Sequence, residues 1–594
     1  MSGDGSTVPA PPPPHSPRAR RWPDLLWLAV LVAWTAGWCL SAAPRLGLTY
    51  DEPFYLDAGL DAWRGWSRED GKRRGFDHYA TAVTGVMPLP IDAFTLPLYV
   101  HERRTGTKLE TPQAKHELLR SARAVTLLWL WLLVFSAWRL GRAAGGPWAG
   151  RLAAGLLAAD PNFLGHASVA ATDIAASAAL IAFARALYCG RGGRWWKRWL
   201  LPGLWFGVAA LCKISLLLYG GLVLVTFEVC YQFASGGLSR PEGAALNRWA
   251  WKVVGTVLRS VLNAVFILTL GIGIAILYFG FPNEDQHPFV SVARTVPPTE
   301  PLSAKYLEWA ENSEGTPNAV CAFAFQWWYN ARGRPSYLNG TFYPESYRYY
   351  FPTVVLMKVP LPVFALALLA LPRPRALANP FALAALLTLA SLLTANLQIG
   401  VRLAFPALAL AYVAVAVALA RGYPRCALWV GVPAVLTVAV TSAWVWPHGL
   451  GYLNQAHGGP AAAHWRVSDS NVDWGQGLPD LKRWHAANGE PPVSVWYFGT
   501  DPAVNRDPFC AFVAEHAVDK HGARFELTDP SQVPRAVGPR VLAVGHTVRT
   551  MHPAATPAKA AALEYLKTCR PMACTATFTL YDFRDGANGF PLRE

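Results

Sequence analysis

The sequence predicts an α-helical polytopic membrane protein with about eleven transmembrane helices and a small α/β domain at its C-terminal end. Charged residues make up 15% of the chain, against about 25% in ordinary globular proteins. The apolar residues gather into separate runs, several of which approach the roughly 20 residues that a helix needs to cross a bilayer. After position 446 the pattern changes to short apolar strands between polar turns, which is typical of a folded domain outside the membrane.

The N-terminal segment, residues 1–23, is rich in proline, serine and arginine and is predicted to be disordered. Its arginines precede the first apolar run, residues 25–43, which places the N-terminus on the cytoplasmic side. This run is long and has no small-residue cleavage site after it, so we expect a retained span rather than a signal peptide.

Residues 24–446 form the predicted transmembrane domain of a multi-pass protein of the plasma (inner) membrane. Most arginines lie in its short connections, which are therefore assigned to the cytoplasmic side. The long loops 44–120 and 282–348 and the domain 447–594 then share the outer, extracytoplasmic face. The predicted spans are residues 25–43, 122–140, 152–159, 174–188, 200–211, 214–233, 254–281, 349–371, 381–393, 403–420 and 426–446.

The C-terminal domain, residues 447–594, is predicted to contain strands at 492–498, 540–544 and 573–581 and a helix at 557–569. Two of its cysteines, Cys569 and Cys574, could form a disulfide if that side of the membrane is oxidising. The sequence contains no CxxC spacing that would indicate a metal site.

The formal net charge of +15 does not indicate a nucleic-acid partner. The basic residues lie in short clusters between apolar runs, which is the pattern that orients a membrane protein rather than that of a DNA-binding face. The 26 tryptophans suit the aromatic belts of such a protein. Membrane lipids are therefore predicted partners, and nucleic acid is not.

An acidic pair, Asp51 and Glu52, follows the first span within ten residues. Aromatic residues flank the pair, among them Tyr55, and Pro53 prevents a helix from continuing past Glu52. Carboxylates at the edge of the hydrocarbon are costly unless they face water, a partner or a metal ion. The pair is therefore the first candidate for a functional site.

An ordered set of motifs resembles a known group of proteins. It resembles the GT-C glycosyltransferases of the protein O-mannosyltransferase and aminoarabinose transferase group (glycosyltransferase family 39-like), in its bacterial form, over roughly residues 24–446. One departure is His78-Tyr-Ala, where members often carry His-Pro-Pro. The motifs are the acidic pair, Pro161-Asn-Phe-Leu-Gly-His166 with Thr172-Asp173, Lys213, Gly333-Arg-Pro-Ser-Tyr-Leu-Asn-Gly340, Tyr349-Tyr-Phe-Pro352 with Lys358-Val-Pro-Leu-Pro362, and Gly400-Val-Arg402.

The resemblance implies a transferase that takes a sugar from a polyprenyl-phosphate carrier on the outer face and passes it to a protein, lipid or polysaccharide acceptor. It also implies inversion at the anomeric carbon and no nucleotide-sugar site. Asp51 fits the general base, since a carboxylate close to hydrocarbon suits proton abstraction better than a solvated one; helix capping or pairing with a basic loop residue is the alternative. Glu52 and Asp173 are further catalytic candidates, and a helix N-cap also explains Asp173.

Lys213 and Arg402 are the candidates for holding the phosphate, because each is a single cation at the outer end of a span. Snorkelling to lipid headgroups is the alternative explanation for both. Four further residues of the outer loops are predicted to bind the sugar or the isoprenoid, although an interfacial aromatic belt uses the same residue types. They are Arg334, Tyr337, Tyr350 and Tyr55.

The cofactor requirement is open, with a divalent metal ion held by Glu52, His166 and Asp173 as one hypothesis. A second metal hypothesis concerns Asp469, Asn471 and Asp473, which have the alternating spacing of the start of a calcium loop, although a turn followed by a helix explains them equally well. A multi-span transporter and a non-catalytic membrane scaffold are the alternative functions. Against a transporter, no internal repeat is visible and the charged candidates lie at span ends rather than near mid-span.

Overall fold

The computed structural model describes residues 22–66, 76–240, 246–282, 301–312, 315–425, 427–506, 508–514, 517–518, 524–551 and 556–584. The predicted disorder of the N-terminal segment concerns residues that lie almost entirely outside these ranges. All statements of structure below refer to the described residues.

The first half of the chain consists of helices joined by short turns. Proline stands at the start of several of them, where its missing N–H costs no hydrogen bond. In chain order they are α1 (Trp22–Ala42), α2 (Glu52–Trp66), α3 (Tyr79–Val83), α4 (Pro88–Thr105), α5 (Pro112–Glu117), α6 (Leu119–Gly145), α7 (Pro147–Ala159), α8 (Pro161–Ala167), α9 (Asp173–Gly190), α10 (Leu201–Cys212), α11 (Ser215–Ala234) and α12 (Leu246–Phe279).

The second half begins with two helices and a short hairpin, and further helices follow as far as residue 466. The hairpin strands are β1 (Ser336–Leu338) and β2 (Thr341–Tyr343). The helices are α13 (Pro301–Glu311), α14 (Asn318–Arg332), α15 (Tyr350–Lys358), α16 (Leu361–Ala370), α17 (Pro374–Leu377), α18 (Pro380–Ser391), α19 (Phe405–Gly422), α20 (Ala427–Val445) and α21 (Ala463–Arg466).

The prediction of a helical polytopic membrane protein is confirmed. Every apolar run predicted as a span is helical, and seven helices in the described part of the chain are long and apolar enough to cross a membrane. The count of eleven stays a prediction, since α7, α10 and α18 have only 13, 12 and 12 residues. The seven are Trp22–Arg45, Leu119–Gly145, Asp173–Gly190, Ser215–Ala234, Leu246–Phe279, Val401–Gly422 and Ala427–Val445.

The run predicted as one straight span at 349–371 is instead two helices that meet at 103°. The break follows from Pro360, which disfavours a helical conformation at the residue before it. Val359 is accordingly extended, with φ −73° and ψ 132°. The bend turns the Lys358 side chain inward, where it is fully buried and its Nζ donates hydrogen bonds to the carbonyl oxygens of Leu450 (2.6 Å) and Asn471 (2.7 Å).

The core of the helical body lies where α19 packs against α6, α7 and α9. Alanine occupies much of the facing surfaces, which lets the backbones approach closely, as in other membrane helix bundles. In the most apolar 18 residues of Val401–Gly422, the span that contains α19, 89% of the residues are buried. This rigid centre carries the segments at the ends of the spans that form the site.

The C-terminal part contains a five-stranded sheet with the strand order β4-β3-β7-β9-β8. They are β3 (Val493–Trp496), β4 (Phe509–Ala511), β7 (Val541–Gly545), β8 (Ala573–Cys574) and β9 (Phe578–Asp582), and the short hairpin β5 (Ala517–Val518) and β6 (Arg524–Phe525) lies apart from them. The strands β4, β3 and β7 run parallel, and β9 is antiparallel to β7. The helices of this part are α22 (Leu478–Ala487), α23 (Val533–Val537), α24 (His546–Met551) and α25 (Pro557–Lys567).

The two faces of this sheet are covered by different helices. Val541 and Ala543 pack with α22 on one face, whereas Leu542 and Val544 pack with α23 and α25 on the other. The predicted α/β fold of this part is therefore confirmed, with the strands at 492–498 and 540–544 and the helix at 557–569 present as β3, β7 and α25. The single strand predicted at 573–581 is instead a hairpin of β8 and β9, because a turn at 575–577 reverses the chain. Cys569 is buried and Cys574 exposed, and no disulfide joins them.

The segment 447–476 connects the two parts and packs on both. Leu453, Ala463, Val467 and Val472 belong to the core cluster of the helices, whereas Asp469 and Asp473 are hydrogen-bonded to Thr547 of α24. The segment carries Asp469 and Trp474, which line the site together with Phe498 of the C-terminal part.

Candidate active site

A cavity of about 560 Å³ opens where the ends of several helices meet the loop before α2 and the segment 447–476. Three of the charged residues predicted from the sequence line it, namely Asp51, Lys213 and Arg402. Arg334 and Tyr55 line it as well. A carboxylate of the first loop and cations from the ends of later spans thus line one cavity.

Asp51 is positioned by a turn that the C-terminal segment holds in place. The backbone N–H of Tyr50 donates to the carbonyl oxygen of Trp474 at 2.7 Å, and that of Gly47 donates to the carbonyl oxygen of Gln476 at 2.8 Å. The Asp51 side chain is 24% exposed and faces the cavity. It can therefore meet a substrate while its backbone stays fixed.

The Asp51 carboxylate has two hydrogen-bond donors. Arg402 Nη1 lies 3.1 Å from Oδ2, and the Tyr55 hydroxyl lies 3.4 Å from the same oxygen. Burial, followed by the nearby charge of Asp51, raises the pKa of Tyr55 well above its usual value, so this hydroxyl stays protonated and acts as a donor. Asp51 Oδ2 is thus oriented from two sides.

Arg402 stands in a short turn, Val401–Ala404, at the start of α19. Gly400 before it has φ +124°, and a Cβ there would lie 2.3 Å from Ser470 Oγ, so only glycine fits. The Arg402 guanidinium lies 4.0 Å from the ring centre of Trp474 and carries ion pairs to Asp51 and, at 3.7 Å, to Asp173 Oδ2. These contacts hold the guanidinium in the cavity wall and are not those of a side chain that snorkels.

Asp173 and Lys213 complete the charged group. Lys213 is an extended residue between α10 and α11, and its Nζ donates to Asp173 Oδ1. Thr172, not Asp173, occupies the N-cap position of α9, and no side-chain capping bond is present there. Asp173 instead pairs with two cations, Lys213 through Oδ1 and Arg402 through Oδ2. Among the described residues, Oδ2 is buried and has no hydrogen-bond partner.

Much of the cavity lining is apolar. These side chains come from α11 and the residue before it, from α14, from the residue after α18 and from the turn Val401–Ala404, and they suit a hydrocarbon chain better than a polar ligand. They are Ile214, Leu217, Leu218, Phe323, Trp327, Leu392 and Leu403. The cavity thus combines a charged group with a largely apolar lining.

Arg334 lines the cavity near the aromatic ring of Tyr329. Its guanidinium is 5.9 Å from the ring centre, and its backbone N–H donates to the carbonyl oxygen of Asn396 at 3.2 Å. Tyr50 and Phe498, which also line the cavity, stack at 5.0 Å. Aromatic side chains are therefore part of the cavity lining.

Two predicted substrate-binding tyrosines are not among the residues that line the cavity. The Tyr337 hydroxyl donates to the carbonyl oxygen of Trp465 at 2.9 Å, which fixes β1 against the segment 447–476. Tyr350 is fully buried, and its hydroxyl accepts a hydrogen bond from Asn471 Nδ2 at 3.0 Å. Both tyrosines support the site from outside the cavity.

Glu52 faces away from the cavity and into the protein. Its carboxylate accepts hydrogen bonds from Arg123 Nε (2.8 Å) and Nη2 (2.7 Å) and from the backbone N–H groups of Thr49 (2.9 Å) and Ala170 (2.7 Å). The pKa of Glu52 is lowered, because these partners together outweigh the effect of burial. The geometry makes Glu52 an anchor of the turn that presents Asp51 rather than a group that meets substrate.

Replacement of Glu52 by glutamine is expected to lower the free energy of unfolding by about 3 kcal/mol, since it leaves the Arg123 charge buried without its partner. Chemical denaturation of the purified protein in detergent measures this. Glu564→Gln removes an exposed carboxylate paired with Lys567 and is expected to change stability by less than about 1 kcal/mol. Equal stability of the Glu52→Gln variant and the unmodified protein would contradict the anchoring role.

The residues proposed as metal ligands do not form a metal site. Among the described residues, no group of three or more His, Cys, Asp or Glu side chains is placed to hold a metal ion. Glu52 is engaged by Arg123, and Asp173 by Lys213 and Arg402. His166 is buried and directs Nδ1 at the carbonyl oxygen of Asn162, and burial lowers its pKa to about 3.

The second metal hypothesis also lacks a suitable donor set. Asn471 Oδ1 accepts from the backbone N–H of Val401 (2.9 Å), and both carboxylate oxygens of Asp473 accept backbone N–H groups, from Gly475 (3.1 Å) and Thr547 (3.0 Å). Asp473 Oδ1 thus closes a local turn at Gly475, whereas Asn471 Oδ1 and Asp473 Oδ2 hold the segment to residues distant in sequence.

His78, the position that departs from the family motif, lies in a separate buried cluster. Its Nε2 is 2.9 Å from Asp92 Oδ2, which also accepts a hydrogen bond from the Tyr278 hydroxyl at 2.8 Å. None of these three residues lines the cavity.

The solved structures to which the chain is similar are of transferases. A crystal structure of ArnT from Cupriavidus metallidurans bound to undecaprenyl phosphate shares 14% identity, with 95% of this chain and 98% of that chain covered and a TM-score of 0.47. The apo crystal structure of the Archaeoglobus fulgidus oligosaccharyltransferase shares 13% identity and a TM-score of 0.41; the alignment covers 72% of this chain and 54% of that one. No family model matches the chain, and no curated protein does.

At these identities and TM-scores the function has to be derived from the residues of the cavity.

Proposed function

We propose that this protein is a membrane glycosyltransferase of the GT-C type that takes its sugar from a polyprenyl-phosphate carrier on the outer face. One observation carries the proposal: the carboxylate of Asp51 and the cations of Lys213 and Arg402 line a single cavity, and much of the remaining lining is apolar. A lipid-linked phosphosugar has the matching shape, with a hydrocarbon tail on one side of an anionic phosphate and a sugar on the other. A scaffold would have no use for this arrangement.

Arg402 and Lys213 are assigned to the phosphate. Arg402 lines the cavity, so its positive charge can face an anion bound there. Lys213 is 20% exposed and lines the cavity next to the apolar residues of α11. A planar guanidinium and a point charge together suit a phosphate diester. Asp173 holds both cations in place from behind.

Asp51 is assigned as the general base. It accepts the proton of an acceptor hydroxyl, whose oxygen then forms a bond to the anomeric carbon from the face opposite the phosphate. The bond from the anomeric carbon to the phosphate oxygen breaks, and its electron pair leaves with the polyprenyl phosphate, whose charge Arg402 and Lys213 offset. The configuration at the anomeric carbon is inverted, and the proton on Asp51 passes to solvent.

Reaction of the purified protein with a lipid-linked sugar tests this function. Undecaprenyl phosphate, the ligand named in the ArnT structure, supplies the probe: undecaprenyl-phosphoryl hexoses and pentoses are incubated with the protein in liposomes. We expect release of undecaprenyl phosphate together with a glycosylated acceptor from envelope extract, both detected by mass spectrometry. Movement of intact sugar or lipid across the liposome without cleavage would instead indicate a transporter.

A further inference from the structure

Asp469 is the second carboxylate that lines the cavity, after Asp51, and it comes from the segment 447–476 rather than from the membrane domain. It lies among the residues that line the cavity, yet it is only 7% exposed. Its neighbours in charge are Arg402, Arg334 and Asp51. Nothing in the mechanism above uses it.

The backbone of Asp469 is in the left-handed conformation. Its φ is +56°, in the region that glycine adopts freely and that asparagine and aspartate adopt at some cost. Its N–H donates to Thr547 Oγ1 at 3.0 Å, and the next two residues are tied to the start of α19, Ser470 to the carbonyl oxygen of Ile399 and Asn471 to the N–H of Val401. These contacts fix Asp469 in the wall of the cavity.

The Asp469 carboxylate is only partly satisfied by the protein. Oδ1 accepts the backbone N–H of Ser470 at 2.6 Å, whereas Oδ2 has no hydrogen-bond donor among the described residues. No cationic side chain in the described part of the chain lies within ion-pair distance of Asp469. Burial raises the pKa of this carboxyl group, and Arg402 lowers it less. Asp469 Oδ2 is not one of the buried side-chain atoms that lack a partner in the described part of the chain, so it is open to the cavity and can accept from a ligand there.

We propose that Asp469 binds the transferred sugar and that its free oxygen, Oδ2, accepts hydrogen bonds from ring hydroxyl or amino groups. This inference rests on the proposed function and deepens it. A carboxylate repels the phosphate, so the phosphate itself is excluded as its partner. The sugar is joined directly to the phosphate that Arg402 is assigned to hold, and Asp469 is close enough to interact electrostatically with both Arg402 and Asp51. The sugar therefore lies between the base and the phosphate site, where Asp469 can reach it.

Asp469→Asn tests the proposal with little risk to the fold. Asparagine tolerates the left-handed conformation and keeps an oxygen for the Ser470 N–H, but it replaces the free acceptor by a donor. The affinity of the full-length protein is measured in detergent for undecaprenyl phosphate and for undecaprenyl-phosphoryl hexoses and pentoses. We expect the variant to bind undecaprenyl phosphate within about twofold of the unmodified protein, and to bind the preferred lipid-linked sugar about tenfold more weakly.

Two further variants serve as controls. Asp469→Gly also removes the carboxylate and relieves the strain, so it is expected to unfold at an equal or higher temperature and to show the same selective loss. Asp480→Asn changes a carboxylate that pairs with His448 and Arg483 outside the cavity and is expected to bind both lipids normally.

Equal weakening of both lipids by Asp469→Asn, or no weakening of either, would overturn the inference while leaving the proposed function in place. If the unmodified protein bound neither lipid, the proposed function would fall and this inference with it. Normal affinity for the lipid-linked sugar together with a raised KM for the acceptor alone would assign Asp469 to the acceptor and overturn its assignment to the donor sugar.

Discussion

Asp51→Asn is expected to lower the rate of sugar transfer about a thousandfold while leaving the protein folded. The amide keeps the size of the side chain and can still accept hydrogen bonds from Arg402 and Tyr55. It cannot take up a proton from the acceptor, so only the reaction step is lost. The rate is measured as release of undecaprenyl phosphate under single-turnover conditions.

Asp61→Asn is the matched control, because Asp61 lies on the same helix, α2, is 63% exposed and pairs only with Arg64 among the described residues. Its transfer rate should equal that of the unmodified protein. A transfer rate within threefold of normal for Asp51→Asn would rule Asp51 out as the general base. Normal binding of undecaprenyl phosphate by the same variant would separate loss of chemistry from loss of substrate.

Arg402→Gln is expected to lower transfer about a thousandfold as well, but through a different defect. It removes the cation that faces the departing phosphate and leaves Asp51 and Asp173 without the guanidinium between them. Affinity for undecaprenyl phosphate should therefore fall together with the rate. Arg402→Lys keeps the charge but loses the planar group above Trp474, so we expect it to recover only part of both.

Arg373→Gln controls for the loss of a stacked guanidinium. The Arg373 guanidinium lies 5.1 Å from the ring centre of Tyr423, and Arg373 does not line the cavity. Transfer and lipid binding should be unchanged in this variant. If Arg402→Gln bound undecaprenyl phosphate normally, Arg402 would be a structural partner of the two carboxylates and not a phosphate ligand.

Most of the fold could be predicted from the sequence because long apolar runs and alternating strands are local patterns. All eleven apolar runs are helical, and two predicted strands and the predicted helix agree with β3, β7 and α25 within a few residues. The prediction of one strand at 573–581 does not separate β8 from β9, and β4 has no counterpart among the predicted strands. The bend at Pro360 was missed as a change of direction, although the proline itself was visible. The hydrophobicity of a segment predicts that it is buried. The angle between the helices on either side of Pro360 depends instead on the packing around the break.

The charged residues of the site could be predicted in part for the same reason. Asp51, Asp173, Lys213 and Arg402 stand at the ends of apolar runs, where an ionised side chain needs an explanation. The sequence could not show that Glu52 turns inward to Arg123 while its neighbour Asp51 turns outward. That difference depends on which side of a turn each side chain leaves, and the turn is set by contacts with Trp474 and Gln476.

The contributions of the segment 447–476 were the hardest to predict. Asp469 and Trp474 were noted only as part of a short motif, and the spacing of Asp469, Asn471 and Asp473 suggested a metal loop. Their actual roles depend on contacts to the start of α19 and to the loop before α2, which are distant in sequence. The contact between the Trp474 ring and the Arg402 guanidinium, for example, leaves no periodic pattern in the sequence.

The hydrogen bonds from Gly47 and Tyr50 to the segment 447–476 also bear on the order of biosynthesis. Their acceptors are made only after the last predicted span has left the ribosome, so an unfinished chain in the membrane lacks the support of the turn that presents Asp51. For the proposed transferase, catalytic competence then comes at the end of translation, and a nascent or prematurely terminated product is not expected to consume lipid-linked sugar.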